Sequence, residues 1–312
     1  MRRATPNFFL VGAPQAGTTS LSIYLDQHPS VFMSPIKEPC FFAPEVADMT
    51  PRAREAYEAD AVSLGRYLDG PMQEKRDRGL VLEWDDYLKL FKNVRDETAV
   101  GEASVAYLAS LGAASAIRAR VPDARIVMML RNPLDRLFSR FLASRAAGEA
   151  ATFAQWLDRR VADDHAREQP SGPIWPGRYA VHLQRYLESF PAAQLRVFLY
   201  DDYVRMPAGV VRDLLAFLGV DPAYPIDTTE RHNVTLAPRW PALPAHVRPL
   251  VRACGNLLPR AIAARARRWY LIPRRLGPTS DERARGIDVY RQDIRALETL
   301  IDRDLSAWLS TS

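Results

Sequence analysis

Two stretches of this chain combine residue types and spacings suited to holding an anionic group. The first is Gly12 to Ser20, GAPQAGTTS, where a glycine loop runs into three consecutive hydroxyl residues. At the start of a helix, such a loop turns backbone N–H groups, hydroxyls and the positive helix end toward one point, which suits a phosphate. Gly12 and Gly17 have the spacing of the nucleotide motif G-x-x-x-x-G-K-[ST], with Thr19 at its hydroxyl position. Thr18 stands where that motif has lysine, the residue that reaches the outer phosphates of a triphosphate, so ATP or GTP chemistry is disfavoured. The plain alternative is a tight strand–helix connection that holds nothing.

The second stretch is Arg131 to Ser139, RNPLDRLFS. In a nucleoside triphosphatase the end of such a strand usually offers an aspartate to hold Mg²⁺. A guanidinium in that place binds an anion directly, which points to a phosphate site without metal. Ser139, two turns into the following helix, would add a hydroxyl. Arg131 would otherwise serve as a cap or pair with a nearby carboxylate such as Asp135.

Both stretches need strands to deliver them. Phe8–Val11 and Ile126–Leu130 are short apolar runs of the kind that buried parallel strands show. Asn132-Pro133 then supplies an N-cap and a first-turn proline. Strands expected near 7–12, 31–33, 99–101, 125–130 and 195–200 alternate with helical patterns. This predicts an α/β fold in three layers, a central, mainly parallel sheet flanked by helices, as in P-loop NTPases. A single domain over residues 1–312 is expected, with a helical surface insert over 45–92 and a basic C-terminal helical region over 240–312. Residues 163–178, rich in proline and glycine, read as a loop near the site.

Composition narrows the setting. Apolar residues make up 47% and charged residues 25%, as in ordinary soluble proteins. No apolar run approaches a membrane span, and the stretch after Met1-Arg2-Arg3 is too short for a signal peptide. Cys40 and Cys254 are the only cysteines, so a reducing cytoplasm is expected. Residues 231–280 hold ten arginines and no Lys, Asp or Glu, a charge of +10 against a total of +5. That region would guide a polyanionic ligand, hold an acidic acceptor, or rest on an anionic membrane surface. A solvated basic face is the plain reading. No nucleic-acid partner is expected, because no base-stacking platform accompanies the arginines.

Taken together, Gly12–Leu21 and Arg131–Ser139 resemble the two cofactor motifs of sulfotransferases that use 3′-phosphoadenosine 5′-phosphosulfate (PAPS). Arg131, Pro133, Arg136 and Ser139 resemble the family's R-x-P-x-x-R-x-x-S. Lys37-Glu38-Pro39 with Phe41-Phe42 resembles K-E-P-x-F-F, and Gly101-Glu102-Ala103-Ser104 with Tyr107-Leu108 resembles G-E-x-S-x-x-Y-L. Gly177, Tyr179, Leu183, Tyr186 and Phe190-Pro191 resemble the segment before the last strand, and Leu297 to Trp308 the closing helix. The matches run from residue 7 to 309 in the family's order.

The resemblance implies roles. The loop Gln15, Ala16, Gly17, Thr18, Thr19 and Ser20 would hold the 5′-phosphosulfate, and Arg131 with Ser139 the 3′-phosphate. Tyr179 would stack on adenine or belong to the core. Arg231, His232, Asn233 and Arg239 fall in a segment near the cofactor. Glu38 would be the general base that takes a proton from an acceptor hydroxyl, unless it is spent on a salt bridge with Lys37 or Arg131. Glu102 and Cys40 would line the acceptor side, Cys40 standing where many relatives carry histidine; Glu102 would alternatively pair with an arginine. No metal is implied. The implied acceptor is a carbohydrate, glycolipid or small natural product. His28 and His182 read as structural, while His165 and His246 give no pattern.

One position departs from the family. Its loop usually begins K-x-G-T-T, and Gln15 replaces that lysine, which steadies the leaving phosphate. A charge-assisted hydrogen bond is about twice as strong as a neutral one. Losing it would cost on the order of 3 kcal/mol, roughly a hundredfold in rate. Three readings follow: a slow enzyme, one that recruits Lys37 or another cation, or a PAPS-binding protein without turnover. A P-loop kinase is the alternative from a different chemistry, and Mg²⁺-dependent ATP binding would mark it.

Overall fold

The computed structural model describes residues 4–46, 61–146, 148–166, 171–230, 236–238, 271–273 and 277–311. Five strands, β1 (Phe8–Gly12), β2 (Val31–Met33), β3 (Ala99–Ala103), β4 (Arg125–Leu130) and β5 (Leu195–Leu199), form one sheet in the order β2-β3-β1-β4-β5. Every pairing is parallel. All five residues of β1 and of β3 are buried, as expected of strands covered on both faces. A short antiparallel pair, β6 (Leu236–Pro238) with β7 (Leu271–Pro273), lies outside this sheet.

Strand order decides where a ligand belongs. From β1 the chain crosses to the β2 edge, and from β4 it passes to the β5 edge. The two therefore part company between β1 and β4, and in open parallel sheets the crevice at the carboxyl ends of such strands is the ligand site. Both stretches expected to hold an anion begin there, one after Gly12 and one after Leu130.

Helices flank the sheet in two groups. Thr18–Leu25 packs on Pro207–Leu218, while Tyr179–Ser189 packs against Ser280–Ile301, which also meets Pro133–Ala146. Thr279 opens the long helix Ser280–Ile301 with a reciprocal capping box to Glu282. Ile287, Tyr290, Ile294 and Leu297 are its buried face. No helix among the described residues is long and apolar enough to cross a membrane.

Of the expected surface insert, residues 47–60 lie outside the described residues, and 61–92 are more deeply built in than their polarity implied. Leu64, Leu68, Met72, Val81, Tyr87, Leu90 and Phe91 are all buried in the main core. Its backbone is also laced to the segment after β2: Arg76 N–H donates to Pro35 O (2.8 Å), Lys37 N–H to Arg76 O (2.8 Å), and Val81 N–H to Pro39 O (2.9 Å). Charged residues between the apolar ones had masked this buried face.

Candidate active site

The loop after β1 is fixed by backbone geometry. Ala13 N–H donates to Met129 O of β4 (2.6 Å). Gln15 and Gly17 are left-handed, at φ 58° and 86°, and Gly17 is the N-cap of Thr18–Leu25. A Cβ on Gly17 would lie 3.2 Å from the Tyr200 ring, so close approach as well as φ calls for glycine there. Ala16, Thr18 and Ser20 are buried, Thr19 is partly so, and Gln15 is exposed.

Arg131 joins the two stretches. Its Nη1 donates to the Gln15 carbonyl (3.0 Å) and to Ser139 Oγ (3.1 Å). Its guanidinium lies 4.9 Å from the centroid of the Tyr200 ring, a cation–π contact. Asn132 caps the helix through Oδ1, which accepts the N–H groups of Leu134 (2.9 Å) and Asp135 (3.3 Å). Asp135, the carboxylate considered for Arg131, instead pairs with Arg283 at 3.1 Å. Tyr200 was not foreseen as a site residue. Its one signal in the sequence is position, since it is the first residue after β5, the last strand of the main sheet in chain order.

Glu38 and Lys37 lie in the loop beyond β2. Lys37 Nζ meets Glu38 Oε1 at 2.8 Å, with the two side chains only 17% and 21% exposed. The salt bridge considered for Glu38 is therefore present, and it occupies one of two carboxylate oxygens. Glu38 N–H donates to Ala103 O at the end of β3 (2.8 Å). Glu38 and Cys40 both have left-handed backbone, φ 65° and 53°. Each such non-glycine residue costs on the order of 1–3 kcal/mol and gathers where function requires it.

Glu102, expected on the acceptor side or against an arginine, lies inside the fold. It is wholly buried on β3 and accepts three hydroxyl hydrogen bonds: Tyr87 (3.0 Å) and Tyr107 (2.6 Å) on Oε1, Ser104 (2.7 Å) on Oε2. Burial pushes its carboxyl up to about 7, held back by those three hydroxyls. Cys40 is buried, and its thiol is pushed up to about 12 by burial, then by Glu38 and Glu102. It is a neutral thiol with no acid–base use near neutrality.

Of the remaining candidates, Tyr179 is 1% exposed, its ring 6.4 Å from that of Trp308, so the structure places it in the core. Arg136 is buried as well and donates to Pro173 O (2.6 Å) and Tyr290 Oη (3.4 Å), fastening the helix to its neighbours. His28 packs in its turn, with Nδ1 accepting Ser30 N–H (3.0 Å). His182 is fully buried against Trp175. Among the described residues no three His, Cys, Asp or Glu side chains gather as metal ligands. Arg231, His232, Asn233, Arg239, His246, Cys254 and most of the basic stretch 231–280 lie outside the described residues.

Comparison with known proteins fits this geometry. Residues 6–224 match the family described as "Sulfotransferase family". A bifunctional heparan sulfate N-deacetylase/N-sulfotransferase 2 of Bos taurus is 27% identical over 223 residues, which is 70% of this chain and 22% of that protein. The Caenorhabditis briggsae bifunctional heparan sulfate N-deacetylase/N-sulfotransferase 1 is 25% identical over 74% of this chain and 24% of its own. The chain thus spans less than a quarter of the length of these curated relatives. The crystal structure of a sulfotransferase from Alicyclobacillus acidocaldarius superimposes with a TM-score of 0.65 at 31% identity, covering 98% of this chain and all of that one.

Proposed function

The chain belongs to the sulfotransferase family, and from that premise we propose that it moves a sulfuryl group from PAPS to an acceptor hydroxyl on a carbohydrate, glycolipid or small natural product. The observation that carries this reading is the contact of Arg131 with both the glycine loop and Ser139, which merges two anion-holding stretches into one site. The residues present fit a phosphosulfate nucleotide. Arg131, the hydroxyls of Thr18, Thr19, Ser20 and Ser139, and the start of Thr18–Leu25 all offer donors to anionic oxygens. Bound there, PAPS would supply the sulfuryl group and leave as adenosine 3′,5′-bisphosphate.

The protein's own part is division of labour. Arg131 and Ser139 hold the 3′-phosphate, with Tyr200 keeping the guanidinium in place. Gln15 offers the leaving phosphate an uncharged N–H. Glu38 takes the acceptor proton on a carboxylate oxygen, and the strained loop pre-sets its backbone. An amine acceptor is the second reading, favoured by the N-sulfotransferase names of the relatives. The setting we propose is a reducing one, the cytoplasm, on cysteine usage. Contact of 231–280 with an anionic surface is likewise a proposal, on charge.

Calorimetric titration with adenosine 3′,5′-bisphosphate and with Mg·ATP, followed by sulfuryl turnover on hydroxyl and amino glycans, tests the reading. Metal-independent binding of the bisphosphate with ATP ignored is expected. Glu38→Gln is expected to bind the bisphosphate as the parent does while losing about 10²–10⁴ in rate. No binding of the bisphosphate would overturn the site, and an undiminished rate in Glu38→Gln would overturn the base.

A further inference from the structure

Glu102 takes part in none of the steps above, yet its hydrogen bonds lead to the loop that carries the base. A hydroxyl has one proton to give and lone pairs to accept with, whereas a carboxylate only accepts and a backbone N–H only donates. Ser104 Oγ gives its proton to Glu102 Oε2 (2.7 Å) and accepts the Cys40 N–H (3.1 Å). Tyr107 Oη gives its proton to Glu102 Oε1 (2.6 Å) and accepts the Phe42 N–H (3.3 Å). The intervening Ala103 offers its carbonyl to the Glu38 N–H (2.8 Å). Three alternate amides, those of Glu38, Cys40 and Phe42, are thus fastened to the end of β3 and the turn after it.

The direction of this relay depends on the carboxylate. With both hydroxyl protons drawn toward Glu102, their lone pairs are left for the loop. The loop needs such restraint, because Glu38 and Cys40 hold left-handed backbone that non-glycine residues leave when free. Tyr87 adds a third hydroxyl to the carboxylate (3.0 Å), while its ring packs on those of Phe41 and Phe42, with centroids 4.8 and 5.6 Å apart.

We propose that Glu102 is a positioning residue, whose carboxylate orients Ser104 and Tyr107 into a two-pronged clamp on the loop bearing Glu38. The inference rests on the reading of Glu38 as base for its effect on rate, though not for its effect on the loop. It gives the buried glutamate of the G-E-x-S segment a use that neither acceptor contact nor ion pairing describes.

The test is Glu102→Gln, which keeps the volume but places an amide donor against one of the two hydroxyls. The variant is expected to bind adenosine 3′,5′-bisphosphate within about twofold of the parent while kcat falls about tenfold to a hundredfold, the usual result of displacing a catalytic group. Amide hydrogen exchange supplies a readout independent of activity. Glu102→Gln should speed exchange at Cys40 and Phe42, Ser104→Ala at Cys40 first, and Tyr107→Phe at Phe42 first. Exchange unchanged at both amides, or loosened evenly through the sheet, would overturn the clamp. Should Glu38→Gln keep full turnover, the base assignment fails, while the exchange pattern still decides the clamp.

Discussion

Gln15 carries two separable features. Its carbonyl accepts from Arg131 and its backbone is left-handed, while its side chain is exposed and uncharged. A side-chain change therefore leaves the Arg131 contact in place, and lysine meets the same backbone cost that glutamine already bears. Gln15→Lys should raise kcat up to about a hundredfold, since a charged donor on the leaving phosphate is worth on the order of 3 kcal/mol over none. Single-turnover sulfuryl transfer would read this directly. An unchanged rate would mean that another cation already supplies the charge. Lys37 is committed to Glu38 in this structure, so that outcome would require their 2.8 Å pair to open during turnover.

At the scale of elements, the glycine of the G-E-x-S segment belongs to packing. Gly101 pairs with Phe8 across β3 and β1, and a Cβ there would fall 2.3 Å from the Phe8 ring. Gly101→Ala must drive a buried ring out of its place, so a loss of about 1–3 kcal/mol is expected, against the gain that alanine for glycine brings at an unstrained site. Denaturant unfolding checks it, and a variant as stable as the parent would show that the ring has room to move. Much of the sheet was legible, because β1 and β4 are continuous apolar runs and Asn132-Pro133 announces the helix after β4. The glycine loop and Arg131 were legible for the same reason: chemistry at a strand end is fixed by local spacing. What escaped was set by distant contacts. Tyr200 meets Gly17 and Arg131 only through strand order, and Glu102 finds its hydroxyls only once Trp84–Lys89 and the turn after β3 pack around it. The apolar face of residues 61–92 was likewise hidden among charges.

For the whole molecule, buried titratable groups decide how stability responds to acid, and they pull in opposite directions. Burial raises Glu102 to about 7 and Asp293 to about 6. Each contributes stability that is present at low pH and lost as pH rises through its folded value. His182 does the reverse. Burial, reinforced by Arg185, Arg136 and Arg178, lowers it to about 3, while the Trp175 carbonyl opposes the shift. That carbonyl accepts from Nε2 at 2.9 Å, which leaves Nδ1 bare and without a partner in the interior. The unfolded chain binds a proton at this histidine below about pH 6.5 and the folded chain does not until far lower. Its contribution is therefore full above pH 6.5 and drains away as pH falls. His182→Gln keeps an N–H for the Trp175 carbonyl and removes the titration. Comparing urea unfolding of the parent and the variant at pH 7 and pH 5 cancels the two carboxyls, which both proteins share. The difference should shift toward the variant by about 2 kcal/mol, at 1.36 kcal/mol for each pH unit below 6.5. A difference that stays constant between the two pH values would mean that His182 binds its proton equally well in the folded and unfolded chain, the Trp175 carbonyl offsetting burial and the three arginines.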